Sequence, residues 1–381
     1  MTILFVIDKM KNYAGIERIL TCKMNYIYQQ TPNKVYLTTY EQLAHPLPFA
    51  LKDGITYQPL DVIMPQRKDT SLYKWLKAYY NARTRFKKQF YLLLKETSPD
   101  IVVSTVYSYQ ILDIIINTCH RLGVKTVMES HTKGETVTMA YKFKYNQHLF
   151  KLFTLWDNHI MKSFRHCNCV VTLTKQDIPF WEKYTSRTEV IPNMLTIMPK
   201  PVSNYQTKRV ISAGRYMSEK GFDMLLEAWH LLCQDFSDWH LYIFGNGDRT
   251  KYLQIVSKYD MTPSVHLLPA TNDIAEEFSK SSLCVMSSRY EGFGLVLAEA
   301  MSCGLPCVSF DCPYGPREII TDGEDGLLAE NGNIQNLAKK MMIMMGDENL
   351  RRQMGEKAME NIRRYEPEAI MSQWINLFQT L

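Results

Sequence analysis

The feature that most constrains this chain is a regular alternation of two patterns. Short apolar runs rich in β-branched residues are followed by segments whose apolar residues recur at helical spacing. In the first half, this pattern predicts strands at 2–8, 35–39, 101–104, 124–129, 168–173 and 188–192, and helices at 16–30, 71–97, 109–122 and 145–163. Such alternation is typical of parallel strands in one sheet with helices on both faces.

A second alternating series follows an aperiodic, proline-containing segment at 192–206, which reads as a linker. Its predicted strands are 209–213, 239–244, 264–268, 283–287, 306–309 and 326–328, and its predicted helices are 222–235, 249–259, 273–280, 294–303, 316–321, 333–345, about 347–364 and 367–380. The fold class is therefore α/β, with two doubly wound, Rossmann-like domains at 1–194 and 195–364. Ligands of such sheets bind beyond the carboxyl ends of the strands.

Charge is divided unevenly between these halves. Residues 1–195 carry 26 Lys and Arg against 15 Asp and Glu, whereas residues 196–381 carry 18 against 24. The net charges of +11 and −6 suggest that the two domains have different partners. No apolar run is long enough to cross a bilayer, and residues 1–8 read as a buried strand rather than a signal peptide. The nine cysteines lack zinc-like spacing, which favours reduced thiols in the cytoplasm and no metal site.

The segment 289–306 carries the most informative motif. A strand ends before it, Gly292 and Gly294 allow a tight turn, and an almost entirely apolar helix then runs to Gly304. Glu299 is the one charged residue in that helix, and Glu291 precedes its start, where free N–H groups favour an anionic ligand. A buried carboxylate needs partners, which sugar hydroxyls could supply. The alternative is that Glu291 caps the helix and Glu299 pairs with a core arginine.

A second motif lies between the strand at 209–213 and the helix at 222–235. Arg215 and Lys220 flank this loop, and two cations beside a helix N-terminus can neutralise a diphosphate without a metal. An ordinary surface pair is the alternative explanation.

Three further signals are weak taken one at a time. The Gly245-Asn-Gly247 sequence lacks the third glycine of a dinucleotide fingerprint. Gly15, before the first helix, could admit a ligand close to the backbone or merely form a turn. His131 follows a strand end and could face the ligand, although a lone histidine is more often structural.

In combination and in this order, these motifs resemble glycosyltransferase family 4. The resemblance covers nearly the whole chain and is strongest over residues 209–330, where Glu291 and Glu299 stand eight positions apart within EGFGLVLAEAMSCGLP. It implies a GT-B fold, in which two Rossmann-like domains face a central cleft and a final helix, here 365–381, crosses back to the N-terminal domain. The stretch 311–319 also looks like members that transfer a hexose or N-acetylhexosamine in bacterial surface polysaccharide synthesis.

The resemblance implies a retaining transferase that uses a nucleotide sugar, with UDP expected, and requires no metal or cofactor. It assigns four catalytic residues, His131, Glu291, Arg215 and Lys220, and eight donor-binding residues, Gly15, Arg215, Lys220, Glu291, Phe293, Gly294, Leu295 and Glu299. Within these sets the cations hold the pyrophosphate, Glu299 binds ribose, Glu291 contacts the sugar, and His131 lies near its reacting side. One departure is Ala14, where many members have glycine.

The acceptor is predicted to be a glycan or a lipid-linked glycan on the basic N-terminal domain. Residues 64–95 contain nine basic residues against one acid, with interleaved aromatic residues. Such a helix fits peripheral contact with the inner face of an anionic membrane, or else a solvated face with its aromatic residues in the core. Nucleic acid is not expected as a partner. The competing functions are a nucleotide-sugar epimerase of the same two-domain shape and, less favoured, a non-catalytic glycan-binding protein.

Overall fold

A computed structural model describes residues 1–11, 15–65, 71–105, 111–137, 154, 157–201 and 204–381. The chain divides into two units, of which the first comprises residues 1–192 and 371–381 and the second residues 193–370. Most of the predicted helix 145–163, together with Ala14, Arg67, Lys68 and Asp69, lies outside the described residues.

The first unit is built on a parallel sheet. Its strands are β1 (Thr2–Ile7), β2 (Lys34–Thr39), β3 (Thr56–Tyr57), β4 (Ile101–Thr105), β5 (Lys125–Ser130), β6 (Cys169–Thr172) and β7 (Thr188–Val190). Its helices are α1 (Gly15–Gln30), α2 (Leu72–Thr97), α3 (Leu112–Leu122), α4 (Gly134–Val137) and α5 (Ile178–Trp181). Within the described residues, the strand order is β3-β2-β1-β4-β5-β6-β7, so the order reverses between β1 and β4.

The second unit repeats this plan. Its strands are β8 (Arg209–Ala213), β9 (His240–Phe244), β10 (Val265–Leu268), β11 (Leu283–Met286), β12 (Cys307–Phe310) and β13 (Gly326–Ala329). Its helices are α6 (Phe222–His230), α7 (Thr250–Lys258), α8 (Ile274–Ser279), α9 (Leu295–Ser302), α10 (Pro316–Ile319), α11 (Ile334–Gly346) and α12 (Glu348–Asn361). In the part described, the order β10-β9-β8-β11-β12-β13 places the switch point between β8 and β11.

Each unit has its own apolar core, which explains why the periodicity predicted the elements well. Aromatic residues anchor both cores, including Phe86, Phe90 and Trp181 in the first and Trp229 and Trp239 in the second. The two-residue strand β3 was not predicted, because it is too short to show alternation. Helix α6 ends at His230, earlier than the predicted residue 235.

The final helix, α13 (Pro367–Thr380), ends the chain, and residues from Met371 onward belong to the first unit. In that unit, Arg187 donates hydrogen bonds to the carbonyl and the hydroxyl of Thr380. Across the described residues, no helix combines the length and the apolar character that a membrane span requires.

Candidate active site

The switch point of the second sheet carries an ion pair. Lys220 lies in the loop after β8, and Glu291 lies in the loop after β11, the neighbouring strand. Lys220 Nζ is 2.8 Å from Glu291 Oε1, and the two side chains are 21% and 10% exposed. Ser288 Oγ donates to the same oxygen at 2.5 Å. The structure therefore brings together the predicted cation and the predicted acid, with part of the pair accessible to solvent.

Two glycines allow the loops around this pair to approach one another. Gly221 has φ +62°, and a Cβ there would lie 2.0 Å from the carbonyl oxygen of Ser287, just after β11. Gly315 has φ +123°, and its Cβ would lie 1.8 Å from the carbonyl oxygen of Phe293. Only glycine fits both the backbone conformation and the space at these positions. The loops after β8, β11 and β12 are consequently in backbone contact.

A second set of charged residues holds the loop after β8 against the loop after β11. Arg289 donates to Asp223 at 2.9 and 3.1 Å and to the carbonyl oxygen of Ser218 at 2.6 Å. Lys251 also contacts Asp223, at 3.0 Å. Burial by itself would raise the pKa of Asp223, but the hydrogen bonds and charges of Arg289 and Lys251 outweigh it and lower the pKa to about 2. Asp223 thus stays ionised and holds the Glu291 loop against the Lys220 loop.

Arg215 is placed differently from Lys220. Its side chain is 64% exposed, and its guanidinium lies 3.7 Å from Glu219 on the same loop. Of the two predicted cations, Lys220 is therefore directed at the predicted acid Glu291, whereas Arg215 extends into solvent.

Helix α9 begins beside this pair at Gly294, which provides no side-chain cap. The first N–H groups of a helix have no partner within it, so the segment Phe293–Leu295 presents backbone donors. Phe293 is buried, and its ring packs edge-to-face on Tyr365 at 5.2 Å. Glu299 is buried one turn further on and accepts a hydrogen bond from Thr196 Oγ1 at 3.3 Å. The predicted cap is absent, because the Glu291 carboxylate faces Lys220.

In the first unit, His131 follows β5 and is buried rather than open. Its Nε2 lies 3.0 Å from Glu129 Oε2, and its side chain is 1% exposed. Lys23 on α1 lies 2.5 Å from the same carboxylate oxygen. Burial would raise the pKa of Glu129, but Lys23 and His131 outweigh it and lower the pKa to about 2. The role predicted for His131 stays a prediction, and the structure adds Lys23 and Glu129 as its neighbours.

Two of the weaker signals have definite positions. Gly15 is the first residue of α1 and follows residues that are not described. A Cβ on Gly245 would lie 1.8 Å from the carbonyl oxygen of Gly214, and Tyr216 N donates to Asn246 O at 2.8 Å. The Gly245–Gly247 segment therefore supports the Arg215 loop by direct backbone packing.

The motifs gave no role to four residues that contact or adjoin the predicted ones: Lys23 and Glu129 in the first unit, and Asp223 and Arg289 in the second. One signal was available for Lys23, because it stands on the apolar face of its helix between Leu20 and Met24. A charged residue there requires a buried partner. Among the described residues, no three His, Cys, Asp or Glu side chains converge as metal ligands.

Comparison with known proteins shows which family part of this chain resembles. Residues 194–361 match the model of the glycosyl transferases group 1. An uncharacterized glycosyltransferase of Haemophilus influenzae is 34% identical over 212 residues, which cover 55% of this chain and 60% of that protein. The amylovoran biosynthesis glycosyltransferase AmsD of Erwinia amylovora is 24% identical over 98% of each chain.

The fold has close counterparts among solved structures. A TarM variant of S. aureus, in complex with Fondaparinux, alpha-GlcNAc-glycerol and UDP, superposes with a TM-score of 0.77 over 99% of each chain at 17% identity. At that identity the likeness establishes the fold alone, and the narrower assignment to family 4 stays a prediction. The chain has the GT-B fold of glycosyltransferases, and its residues 194–361 match the group 1 glycosyltransferases.

Proposed function

We propose that this chain is a retaining glycosyltransferase that moves a hexose or N-acetylhexosamine from a UDP-sugar to a glycan acceptor in bacterial surface polysaccharide synthesis. The observation that carries the proposal is the Lys220–Glu291 pair at the switch point of the second sheet, 2.8 Å apart and partly exposed. The names of AmsD and TarM support the acceptor class and the UDP-linked donor. The alpha linkage of the alpha-GlcNAc-glycerol bound to TarM supports retention.

The negatively charged pyrophosphate of the donor would be held by positively charged side chains. Lys220 exchanges part of its contact with Glu291 for the pyrophosphate, and Arg215 is exposed enough to join it. The free N–H groups at the start of α9 add partial positive charge. Fixed cations stabilise the leaving diphosphate as its negative charge develops, which lowers the barrier to glycosyl transfer. Glu291, released from Lys220, can then accept hydrogen bonds from the sugar hydroxyls.

Glu299 would bind the ribose hydroxyls from inside α9. It is an ionisable side chain buried to 3% exposure, with Thr196 as one donor to its Oε1. Vicinal hydroxyls offer two further donors, which is the arrangement that a buried carboxylate requires. A donor phosphate oxygen would assist removal of the acceptor proton, so no side chain is assigned as a covalent nucleophile.

The proposal is tested by screening UDP-sugars for hydrolysis and for thermal stabilisation, followed by lipid-linked and soluble glycan acceptors with any donor that binds. Transfer to an acceptor with release of UDP supports it. A new sugar isomer formed without acceptor indicates the epimerase instead, and binding without turnover indicates a glycan-binding protein. The match to the group 1 glycosyl transferases favours glycosyl transfer over both the epimerase and the glycan-binding protein.

We also propose that the reaction needs no metal, because Lys220 and Arg215 can supply the positive charge at the diphosphate. Transfer measured with excess EDTA should match transfer with Mg²⁺ or Mn²⁺. A loss in EDTA that an added divalent cation restores would contradict this part of the proposal.

We propose that the first unit contacts an anionic membrane through helix α2 and receives its acceptor from that membrane. Helix α2 turns Tyr79, Phe86 and Phe90 into the core. Its opposite face is an exposed stripe at helical spacing, formed by Tyr73, Lys77, Tyr80, Thr84, Lys87 and Tyr91. The buried rings of Tyr79, Phe86 and Phe90 agree with the alternative that the aromatic residues of α2 are in the core. The exposed stripe supports the proposal that α2 is interfacial, which stays a prediction.

This stripe has the composition of an interfacial helix. Tyr73 and Tyr80 are 74% and 71% exposed. Lys87 and Arg121 line a groove of about 600 Å³ between α2 and α3. Both residues, together with Lys88, also line a neighbouring groove of about 380 Å³. Exposed aromatic rings with lysines suit the headgroup region of anionic lipid, where each cation contributes about 1 kcal/mol. We therefore propose a cytoplasmic, peripheral location on the inner face of the membrane.

Vesicle sedimentation tests this location. The protein should pellet with phosphatidylglycerol vesicles at low salt and be released at high salt. Replacing Lys87 and Lys88 by Glu should abolish pelleting, whereas replacing the exposed Lys258 and Lys339 of the second unit should leave it unchanged. Equal loss in both double variants, or no pelleting of the parent protein, would contradict the proposal.

A further inference from the structure

The groove between α2 and α3, in the first unit, is lined by basic side chains from both helices. Its volume of about 600 Å³ is that of a small-molecule site. Among the described residues that line it, Asp113 is the one carboxylate. The side chains that carry or can take up positive charge are Arg83, Lys87, His120, Arg121 and His166. The groove therefore favours an anionic ligand.

The single acid does not neutralise the groove, because it is paired with Arg83. Arg83 Nη2 donates to Asp113 Oδ2 at 2.6 Å, and the two side chains are 17% and 10% exposed. The guanidinium also lies over the Tyr79 ring, 5.7 Å from its centroid. These contacts hold it in place, and a planar group with five N–H donors can bind a phosphate oxygen while it keeps its carboxylate. Arg83 is therefore a preorganised phosphate ligand.

Two exposed cations add positive charge from opposite sides of the groove. Lys87 stands one turn after Arg83 on α2, and Arg121 stands on α3. Arg121 Nε donates to the carbonyl oxygen of Asn117 at 3.1 Å, which steadies its guanidinium. In the part of the chain that the structure describes, neither Lys87 nor Arg121 has a carboxylate within ion-pair distance. An anion in the groove can therefore bind both cations without displacing a protein partner.

Two stacked histidines also line the groove. The rings of His120 and His166 have their centroids 4.3 Å apart and their planes inclined by 24°. Imidazole N–H groups donate to phosphate oxygens, and one such donor is present even in the neutral ring. The stack therefore adds donors to the groove, and its NMR signals can report an anion that binds beside it.

The groove adjoins the exposed stripe of α2. Tyr80, Thr84 and Lys87 belong to the stripe and also line the groove. Tyr80 is 71% exposed. Exposed rings beside cations suit the boundary between lipid headgroups and acyl chains, whereas a free phosphate would leave the rings without an apolar partner. The stripe therefore favours a phospholipid as the occupant of the groove.

We propose that the groove between α2 and α3 is a discrete binding site for the headgroup of an anionic phospholipid. Arg83, Lys87 and Arg121 hold the phosphate beside the two histidines. A discrete site differs from the diffuse attraction of a basic surface, because it saturates and depends on particular side chains rather than on net charge. This inference rests on the membrane contact proposed for α2 and gives that contact a specific ligand.

The first experiment needs no membrane. Dihexanoylphosphatidylglycerol, kept below its critical micelle concentration, is titrated into the histidine-labelled protein. The imidazole NMR signals of His120 and His166, assigned by their loss in the His120→Gln and His166→Gln variants, should shift along one saturation curve. The signals of His230 and His240 in the second unit should not move.

Two further ligands define what the groove recognises. Dihexanoylphosphatidylcholine should bind at least about tenfold more weakly, because its ammonium group is repelled by the cations of the groove. Inorganic phosphate should also bind at least about tenfold more weakly, because it has no apolar part to contact the Tyr80 ring. The absence of a saturable shift with the glycerol lipid, or equal binding of either other ligand, would overturn the proposal.

Variants of equal charge separate the site from the basic surface. Arg121→Gln should weaken binding of the short-chain lipid about tenfold, since it removes a charge-assisted hydrogen bond. Lys125→Gln removes the same charge from an exposed position outside the groove and should leave the affinity unchanged. Equal losses in these two variants would assign binding to net charge and overturn the site.

A charge-neutral change tests the preorganised ligand. Arg83→Met with Asp113→Leu keeps the net charge and should also weaken the lipid about tenfold. Its thermal unfolding shows whether the fold is retained, and if it is not, Arg121→Gln against Lys125→Gln decides. Parental affinity in a folded double variant would contradict the role of Arg83.

Vesicle sedimentation keeps this inference separate from the proposed location. If the protein pellets with phosphatidylglycerol vesicles but neither histidine signal responds to the short-chain lipid, the membrane contact stands and the headgroup site fails. If the signals respond but the protein does not pellet, the headgroup site stands and the proposed location fails.

Discussion

The two units each contain a lysine–glutamate pair, and the difference between the pairs is instructive. Lys220 and Glu291 lie on loops after adjacent strands and are 21% and 10% exposed. Lys23 and Glu129 join a helix to a strand and are 4% and 3% exposed. A partly hydrated pair can exchange partners with a ligand at little cost, whereas a buried pair cannot be opened without leaving a charge unpaired. The first pair is suited to binding and the second to holding structure.

The largest expected effect tests this contrast through stability. Lys23→Met should lower the free energy of unfolding by about 3–5 kcal/mol, because it leaves Glu129 buried without its cation. Lys220→Met, the matched variant, should lower it by less than about 1 kcal/mol. Urea unfolding followed by circular dichroism measures both, and similar losses would remove the distinction between the pairs.

The next effect concerns catalysis. Lys220→Ala should reduce transfer about 10²–10³-fold, since it removes the main charge that stabilises the leaving diphosphate. Glu299→Ala should also nearly abolish transfer, through loss of ribose binding. Initial rates with the donor found by screening give the measurement, and unchanged thermal unfolding shows that the fold is retained. Parental rates in both variants would refute the site assignment.

A smaller effect separates the Asp223–Arg289 contact, which holds the two loops together, from the Lys220–Glu291 pair by its pH dependence. The pKa of Asp223 is lowered to about 2, below its ordinary value near 4, so the stability that it contributes is present above about pH 4. That contribution, about 2 kcal/mol, is lost as the pH falls through about 2.

Asp223→Asn should therefore be less stable than the parent protein at pH 6, and the two should converge only as the pH falls through about 2. Denaturant unfolding at a series of pH values gives the comparison. A constant difference over this range would mean that Asp223 does not act through its charge.

The smallest effect distinguishes the two cations of the second unit. Arg215→Ala should leave stability unchanged, because its side chain is 64% exposed and contacts only Glu219 across 3.7 Å among the described residues. Transfer should fall about tenfold, less than for Lys220→Ala, since an exposed guanidinium is screened by solvent. The ratio of the two kcat/KM losses is the measurement. A larger loss for Arg215 would make it the principal phosphate ligand.

The sequence predicted the positions of Lys220 and Glu291 but not the contact between them. Strands of a parallel sheet end at one edge, so Lys220 and Glu291 could each be placed there from the position of the preceding strand. That they contact one another depends on β8 and β11 being neighbours, although β9 and β10 come between them in the chain. The sequence indicated which residues reach this edge, and the strand order decided which of them meet.

The sequence by itself determined most helix and strand positions, because the 2.0 and 3.6 residue periods are local and each sheet covers its own core. It also determined the motif loops after β8 and β11. Only the tertiary structure decided the environment of His131, where Glu129, Lys23 and Trp374 come from β5, α1 and α13. No local pattern encodes that meeting, because the partners of a buried charge depend on which helices pack against which strand.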